Sequence, residues 1–395
     1  MELRKIQDAD IQKGTRVIVL ADFDVTLREG AVEDGFRIRQ TVETLKFIAQ
    51  RGGVLRIIAH LGRPGGKMIP ALSLKNIVSS VAREFGEEFL FIENPLDAGI
   101  QGKLAHEPRH LFFENIRFWP GEEENSKSFA KMLAGWGDIY INEDFAVSHR
   151  AHASIVLLPI LIPSFAGLCF TREVAMLSRV LESPEYPFSA VLGGEKIETK
   201  LALVESFLKK EAVVMVGGKL MNTLLAARGV SVGKSAVDQD FLRHPNQFVL
   251  THPRLILPHD AVVARDIESE ERTVKASAIA EDEIIFDIGP ESAAKFGQVI
   301  SESKMVIWNG PLGQAELKRF AEGTIAVAKS IQQVKGFTVV GGGHTVSSLH
   351  KYGLTGNITH ISTGGGAMLE FLAGKKLPGI EALQNKNVNI LGQVE

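Results

Sequence analysis

Three glycine clusters in the second half of this chain each stand between an apolar run and a helical pattern. They are LGGEKIETK at 192–200, WNGPLG at 308–313 and GGGHT at 341–345. Such a junction aims backbone N–H groups and the positive end of a helix at one point, which suits an anion. Several of them in one half of a chain predict a polyphosphate site. They also restrict the fold, because repeated strand–glycine–helix units pack as sheets covered by helices.

The same alternation runs along the whole chain. Strand-like runs occur at 17–23, 54–60, 111–114, 139–142, 190–192, 213–216, 284–288, 306–308, 338–340 and 358–361. They are short, rich in Val, Ile and Phe, and mostly non-alternating, as strands covered on both faces are. Helical patterns lie at 39–50, 74–85, 126–135, 201–210, 219–228 and 317–332. Together they predict an α/β protein whose parallel sheets are flanked by helices. A chain of 395 residues exceeds one hydrophobic core, so two domains are expected. Residues 171–183 (TREVAMLSRVLES) have helical spacing, and Pro184 and Pro187 follow. This predicts an interdomain helix over 171–184, between an N-terminal domain of 1–170 and a C-terminal domain of 185–378.

A net charge of −3 gives no global attraction to nucleic acid, so any basic site is local. The single cysteine, Cys169, excludes an intramolecular disulfide and fits a reducing compartment. The apolar stretch 155–170 contains Pro159 and Pro163 and is short for a membrane span. The polar start MELRKIQDAD lacks the apolar core of a signal peptide. A cytoplasmic monomer without a membrane or nucleic-acid partner is expected. GVSVGKS at 229–235 imitates a P-loop, but Arg228 stands where the earlier glycine is required. The glycine triplets at 341–343 and 364–366 do not match a dinucleotide fingerprint.

The first half scatters basic residues at the ends of strand-like runs. Asp22 and Asp24 lie in ADFDV, Arg37 in FRIR, His60 and Arg63 in AHLGRPGG, Arg117 in ENIRF, and His149, Arg150 and His152 in SHRAH. Open α/β sheets bind ligands beyond the carboxyl ends of their strands. Guanidinium forks match phosphate and carboxylate, so this set predicts a clamp for a small phosphorylated carboxylate. Taken singly, each residue has a structural reading as an ion pair, a satisfied histidine or a turn glycine. The joint pattern points to an anionic substrate on one domain and a nucleotide on the other. Lys196 and Lys200, four apart, share a face at a helix start, where cations oppose the helix dipole unless an anion binds. A solvated lysine pair is the alternative. Asn309 and Glu316 flank the WNGPLG turn and are candidates to hydrogen-bond a ribose or to coordinate through water.

At these residues the chain resembles phosphoglycerate kinases. The likeness is carried by AHLGRPGG, ENIRFWPGEEEN, SHRAHAS, LESPEYPFSAVLGGEKIETK, DIGP, WNGPLGQAE, FAEGT and ISTGGGAMLEFLAGKKLPGIEAL, and runs nearly end to end. It implies two Rossmann-like domains hinged around a cleft, and reversible phosphoryl transfer between 1,3-bisphosphoglycerate and ADP in glycolysis. It assigns 3-phosphoglycerate to Asp22, Asp24, Arg37, His60, Arg63, Arg117, His149, Arg150 and His152. It assigns Mg²⁺ with ADP or ATP to Lys196, Lys200, Gly217, Gly218, Asn309, Glu316, Gly341, Gly342, Gly343, His344, Thr345 and the triplet Gly364, Gly365, Gly366. Arg37, Lys196 and Gly342 are the implied catalytic positions. The tail 379–395 is implied to pack back on the first domain.

The chain also departs from the family pattern. His344 replaces an aspartate that helps to hold magnesium, and Mg²⁺ prefers oxygen ligands, so no protein residue is expected to hold the metal firmly. Leu20 replaces an arginine. Asp24 replaces an asparagine, and an anion there should repel an acidic substrate. NEDFA at 142–146 replaces NDAFG, and Glu195 replaces a small residue. Three readings stay open: a working kinase, an impaired homologue that still binds its ligands, and a kinase for a related acyl phosphate.

Overall fold

Most of the apolar runs become the inner strands of two parallel sheets. The computed structural model describes residues 3–104, 106–195 and 197–384. The chain divides into two units, one of Met1–Ala175 with the residues from Lys376 onward, the other of Met176–Lys375.

In the first unit the strands lie in the order Leu90–Ile92, Leu111–Phe113, Val54–Ala59, Arg16–Ala21, Ile139–Asn142 and Ser164–Ala166. Every pairing is parallel. Val17 through Ala21 are all buried, which explains why the run does not alternate. The helix Phe36–Gln50 turns Ile38, Val42, Leu45 and Ile48 into the core with Val17, Val19, Leu55, Ile57 and Phe112. Each such burial is worth roughly 1.5–3 kcal/mol. The sheet's two edge strands, Leu90–Ile92 and Ser164–Ala166, were not expected from sequence. Three residues carry too little periodicity to stand out.

In the second unit the order is Leu255–Ile256, Val213–Val216, Phe188–Leu192, Met305–Asn309, Phe337–Gly341 and His360–Ser362. These pairings are also parallel. The run at 284–288 is a correction to the all-parallel expectation. It forms a separate three-stranded antiparallel sheet with Asp260–Ala264 and Arg272–Lys275. A short connection joins Asp260–Ala264 to Arg272–Lys275 and favours their antiparallel pairing, whereas a parallel pair needs a long crossover; Ile284–Ile288 pairs on the other side of Asp260–Ala264. The helix expected at 317–332 starts at Glu322. A 3₁₀ turn, Lys318–Phe320, precedes it and buries Phe320 against Phe286.

The helix Leu168–Glu182 begins three residues before the segment read from sequence, and the division between the units falls within it. Its first turn is capped from the loop that follows strand Ile139–Asn142: the Cys169 and Phe170 N–H groups donate to the Glu143 side-chain oxygens, at 2.9 and 3.4 Å. The helix Pro378–Gln384 belongs to the first unit, and Gly379 N–H donates to the Ser148 carbonyl. The rest of the expected tail, 385–395, lies outside the described residues. The P-loop imitation is a structural turn: Lys234 N–H donates to the Glu283 carbonyl, and Ile285 N–H to the Ser235 hydroxyl. No described helix is long and apolar enough to cross a membrane.

Candidate active site

In the first sheet, strand Arg16–Ala21 lies between Val54–Ala59 and Ile139–Asn142, where the strand order changes direction. Ligands of open α/β sheets bind beyond the carboxyl ends at such a point. The loops leaving these ends carry Asp22, Asp24, His60, Arg63, His149, Arg150 and His152, and Arg117 follows strand Leu111–Phe113.

Arg37 stands in the first turn of its helix, with Nη1 2.6 Å from both carboxylate oxygens of Asp22. Burial opposes the guanidinium charge, but the adjacent Asp22 outweighs it and pushes the Arg37 pKa up. Asp24 accepts the Gly62 N–H at 2.8 Å and lies 3.7 Å from His60 Nε2. Burial favours its neutral form, but His60 and the Gly62 N–H outweigh that and hold the carboxyl well below its usual range. His60 is buried. Burial opposes its charge, but contacts with Asp144 and Asp24 prevail and push it up to about 9.

Asn115, fully buried, donates to the Leu61 and Leu72 carbonyls and accepts the Arg117 N–H. Arg117 in turn donates to the Gly62 carbonyl at 2.9 Å. The glycine loop that carries Arg63 is thus tied down while Arg63 itself is exposed. Among the described residues, neither Arg63 nor Arg150 has an ion-pair partner. His152 is buried at the start of a π-helical turn, Ala153–Leu157. Burial, then the charges of Arg117, Arg150, His60 and His149, push it down to about 4. Glu122 lies 3.8 Å from His152 but is engaged by the Ser154 N–H and hydroxyl, and burial pushes it up to about 7. The structure thus places the sequence-predicted basic residues in the loops beyond one end of this sheet, where Arg37, His60 and Arg117 have carboxylate partners and Arg63 and Arg150 have none among the described residues.

In the second unit the glycine junctions press against one another. A Cβ on Gly193 would overlap the Pro311 carbonyl oxygen, and one on Gly310 would overlap the Gly193 carbonyl oxygen. Gly310 also has φ +97°, so glycine is required twice over at this position. Gly217 N–H donates to the Leu192 carbonyl, and Gly218 N–H to the Leu312 carbonyl. Thr345, near the start of helix Gly343–Lys351, accepts the Gly310 N–H at 2.8 Å. Lys200 is buried, with its ammonium on the Gly193 carbonyl, which corrects the picture of a solvated lysine. Gly341 ends its strand against Met368, and Gly342 is the N-cap of helix Gly343–Lys351. Gly364 is the N-cap of helix Gly365–Leu372, whose first two residues are Gly365 and Gly366. Lys196 lies outside the described residues.

Three further residues singled out in the sequence are placed by the structure. Asn309 is buried, with its amide facing Met368 Sδ at 3.8 Å. Glu316 is exposed, and its carboxylate lies 3.0 Å from His344 Nδ1. Leu20 is an ordinary core residue of its strand. Magnesium is a poor match for this donor set. One exposed imidazole and one carboxylate stand near the glycine turns, and no group of three or more metal-ligating side chains occurs among the described residues.

Sequence reasoning missed Asp144 and Asn115. Asp144 is fully buried, with Oδ2 3.2 Å from His60 Nδ1. Its one signal was its place just beyond a strand end. Its partner lies in a distant loop.

The sequence model of the family described as "Phosphoglycerate kinase" matches residues 6–375. Among curated relatives, the phosphoglycerate kinase of Borreliella burgdorferi is 36% identical over 98% of this chain and 100% of its own length. That of Methylorubrum extorquens is 38% identical over 97% and 99%. Among solved structures, the phosphoglycerate kinase of Coxiella burnetii is similar with a TM-score of 0.82 and 32% identity, covering 97% of this chain and 99% of that one. The Pyrococcus horikoshii enzyme gives a TM-score of 0.87 at 27% identity, covering 97% and 98%. With two parallel-sheet α/β units as in those structures, the chain belongs to the phosphoglycerate kinase family.

Proposed function

We propose that this chain transfers a phosphoryl group reversibly between 1,3-bisphosphoglycerate and ADP, giving 3-phosphoglycerate and ATP. The observation that carries the reading is the cationic surround of His152. Buried, and ringed by Arg117, Arg150, His60 and His149, it is held neutral in a field that favours an anion. Family membership supplies the identity of that anion.

In this reading the first unit holds 3-phosphoglycerate through Arg37, Arg63, Arg117 and Arg150, with His60, His149 and His152 around them. The second unit holds the nucleotide at its glycine turns, with Lys196, Lys200 and Thr345. Phosphoryl transfer leaves little covalent work to the protein, so positioning and charge neutralisation carry the catalysis. Backbone N–H groups, helix starts and Lys200 of the second unit, and Arg37 of the first, are the groups that oppose phosphate charge. Because the donor set does not suit a protein-held Mg²⁺, no step is assigned to that ion. A cytoplasmic monomer belongs to the same proposal.

A coupled assay with 3-phosphoglycerate and ATP tests it. The expected turnover is on the order of 1–100 per second. The His344–Glu316 pair favours a second reading, in which the ligands bind without efficient turnover. No turnover with Mg²⁺ or Mn²⁺, while calorimetry still detects ADP, would establish that reading instead.

A further inference from the structure

We propose that Asp24 and Asp144 are positioning residues that grip His60 at its two ring nitrogens. The imidazole then serves as counter-cation to an acidic pair. The inference rests on reading this unit as the phosphoglycerate site.

The case begins with Asp144. Its side chain is fully buried, and neither carboxylate oxygen accepts a hydrogen bond. Burying an unsatisfied carboxylate is costly unless a cation lies beside it. Among the described residues its only ion-pair contact is His60 Nδ1 at 3.2 Å. On the opposite side of the ring, Asp24 Oδ2 lies 3.7 Å from Nε2. An imidazole flanked by carboxylates at both nitrogens carries both protons, and no lone pair remains. The other charged groups acting on it are Arg117, Asp22, Glu122 and His152, and Arg37 and Arg117 also act on Asp144. Arg117 opposes the ring's charge, but the two near carboxylates prevail and keep the ring protonated up to about pH 9.

Asp24 has a second effect. Its side chain is 43% exposed, so its charge reaches the surface from which the unpaired arginines attract an anion. Its Oδ1 also holds the Gly62 N–H, and with it the loop that carries Arg63. Asparagine would keep that acceptor and remove the charge. Asp24 therefore keeps the loop in place at a cost in anion affinity.

The test uses the full-length protein and its Asp24→Asn and Asp144→Asn variants. NMR of the His60 ring nitrogens between pH 5 and 10 should show the wild-type ring protonated through pH 8. Both variants should lose that proton at least one pH unit earlier. In Asp24→Asn, calorimetry should show 3-phosphoglycerate binding about three- to tenfold tighter, from the loss of one nearby like charge, with ADP affinity unchanged. In the coupled assay KM for 3-phosphoglycerate should fall by a similar factor. A wild-type ring that titrates near the ordinary histidine value overturns the proposal, as does an Asp24→Asn protein that binds the ligand no tighter. Should Asp144→Asn fail to fold, the partly exposed Asp24 decides alone. Wild-type protein that binds no 3-phosphoglycerate would instead refute the functional reading, and the ring titration would then judge the clamp by itself.

Discussion

At the scale of single residues, the site separates paired from unpaired charge. Arg37 is anchored on Asp22, whereas Arg63 and Arg150 have no ion-pair partner among the described residues. Anchoring fixes where a guanidinium points, and a transferring phosphoryl group needs a fixed point charge. Arg37→Ala should lower phosphoryl transfer at least roughly 100-fold in the coupled assay. Calorimetry should find ADP affinity nearly intact. Lost ADP binding would show that substrate and nucleotide do not divide between the two units. His344→Asp should raise turnover, because a carboxylate in place of the exposed imidazole adds an oxygen ligand suited to Mg²⁺. A rate unchanged or lowered across a magnesium titration would show that position 344 does not limit metal use. Most of these side chains could be picked from sequence because basic residues followed strand-like runs. Asp144 could not, since a lone carboxylate acquires meaning only beside His60.

Among the elements, the glycine turns set the tolerances. Gly193 and Gly310 bring two strand ends so close that no side chain fits between them. Gly310→Ala should force the two turns apart and strain a residue at φ +97°. A cost of about 1–3 kcal/mol from backbone strain alone is expected. Thermal melting should show the loss, and calorimetry should show weakened ADP binding, while 3-phosphoglycerate affinity stays near wild type. The same turns were visible in sequence, because glycine after an apolar run is a local signal. The partners of the run at 284–288 were not, because an apolar run reads alike in a parallel sheet or an antiparallel ribbon. The three-residue edge strands escaped notice for want of length.

For the molecule as a whole, buried titratable groups make stability depend on pH in both directions. His60, raised to about 9, contributes fully below its unfolded value near 6.5, and that contribution is lost as pH rises through 9. Glu143, pushed by burial up to about 8, favours the protonated form, so its contribution fades from about 4.5 to 8. His152, lowered to about 4, favours the neutral form, and its penalty grows as pH falls from about 6.5 to 4. Calorimetric melting of the first unit should therefore decline from pH 6.5 to 9, and Glu143→Gln should flatten part of that decline. A melting temperature constant over this range would refute the assignment. The alternation of apolar runs and helical stripes sufficed to determine the α/β class, and the glycine turns could be read directly, because both follow from spacing along a short stretch of chain. Tertiary structure alone decided that Asp144 meets His60, that Glu143 caps the helix Leu168–Glu182, that Lys200 folds onto Gly193, and that Gly310 needs to be glycine because of Gly193. Each of these joins separate loops or elements in a buried space, and the burial that gives such a contact its energy does not exist until the chain has folded.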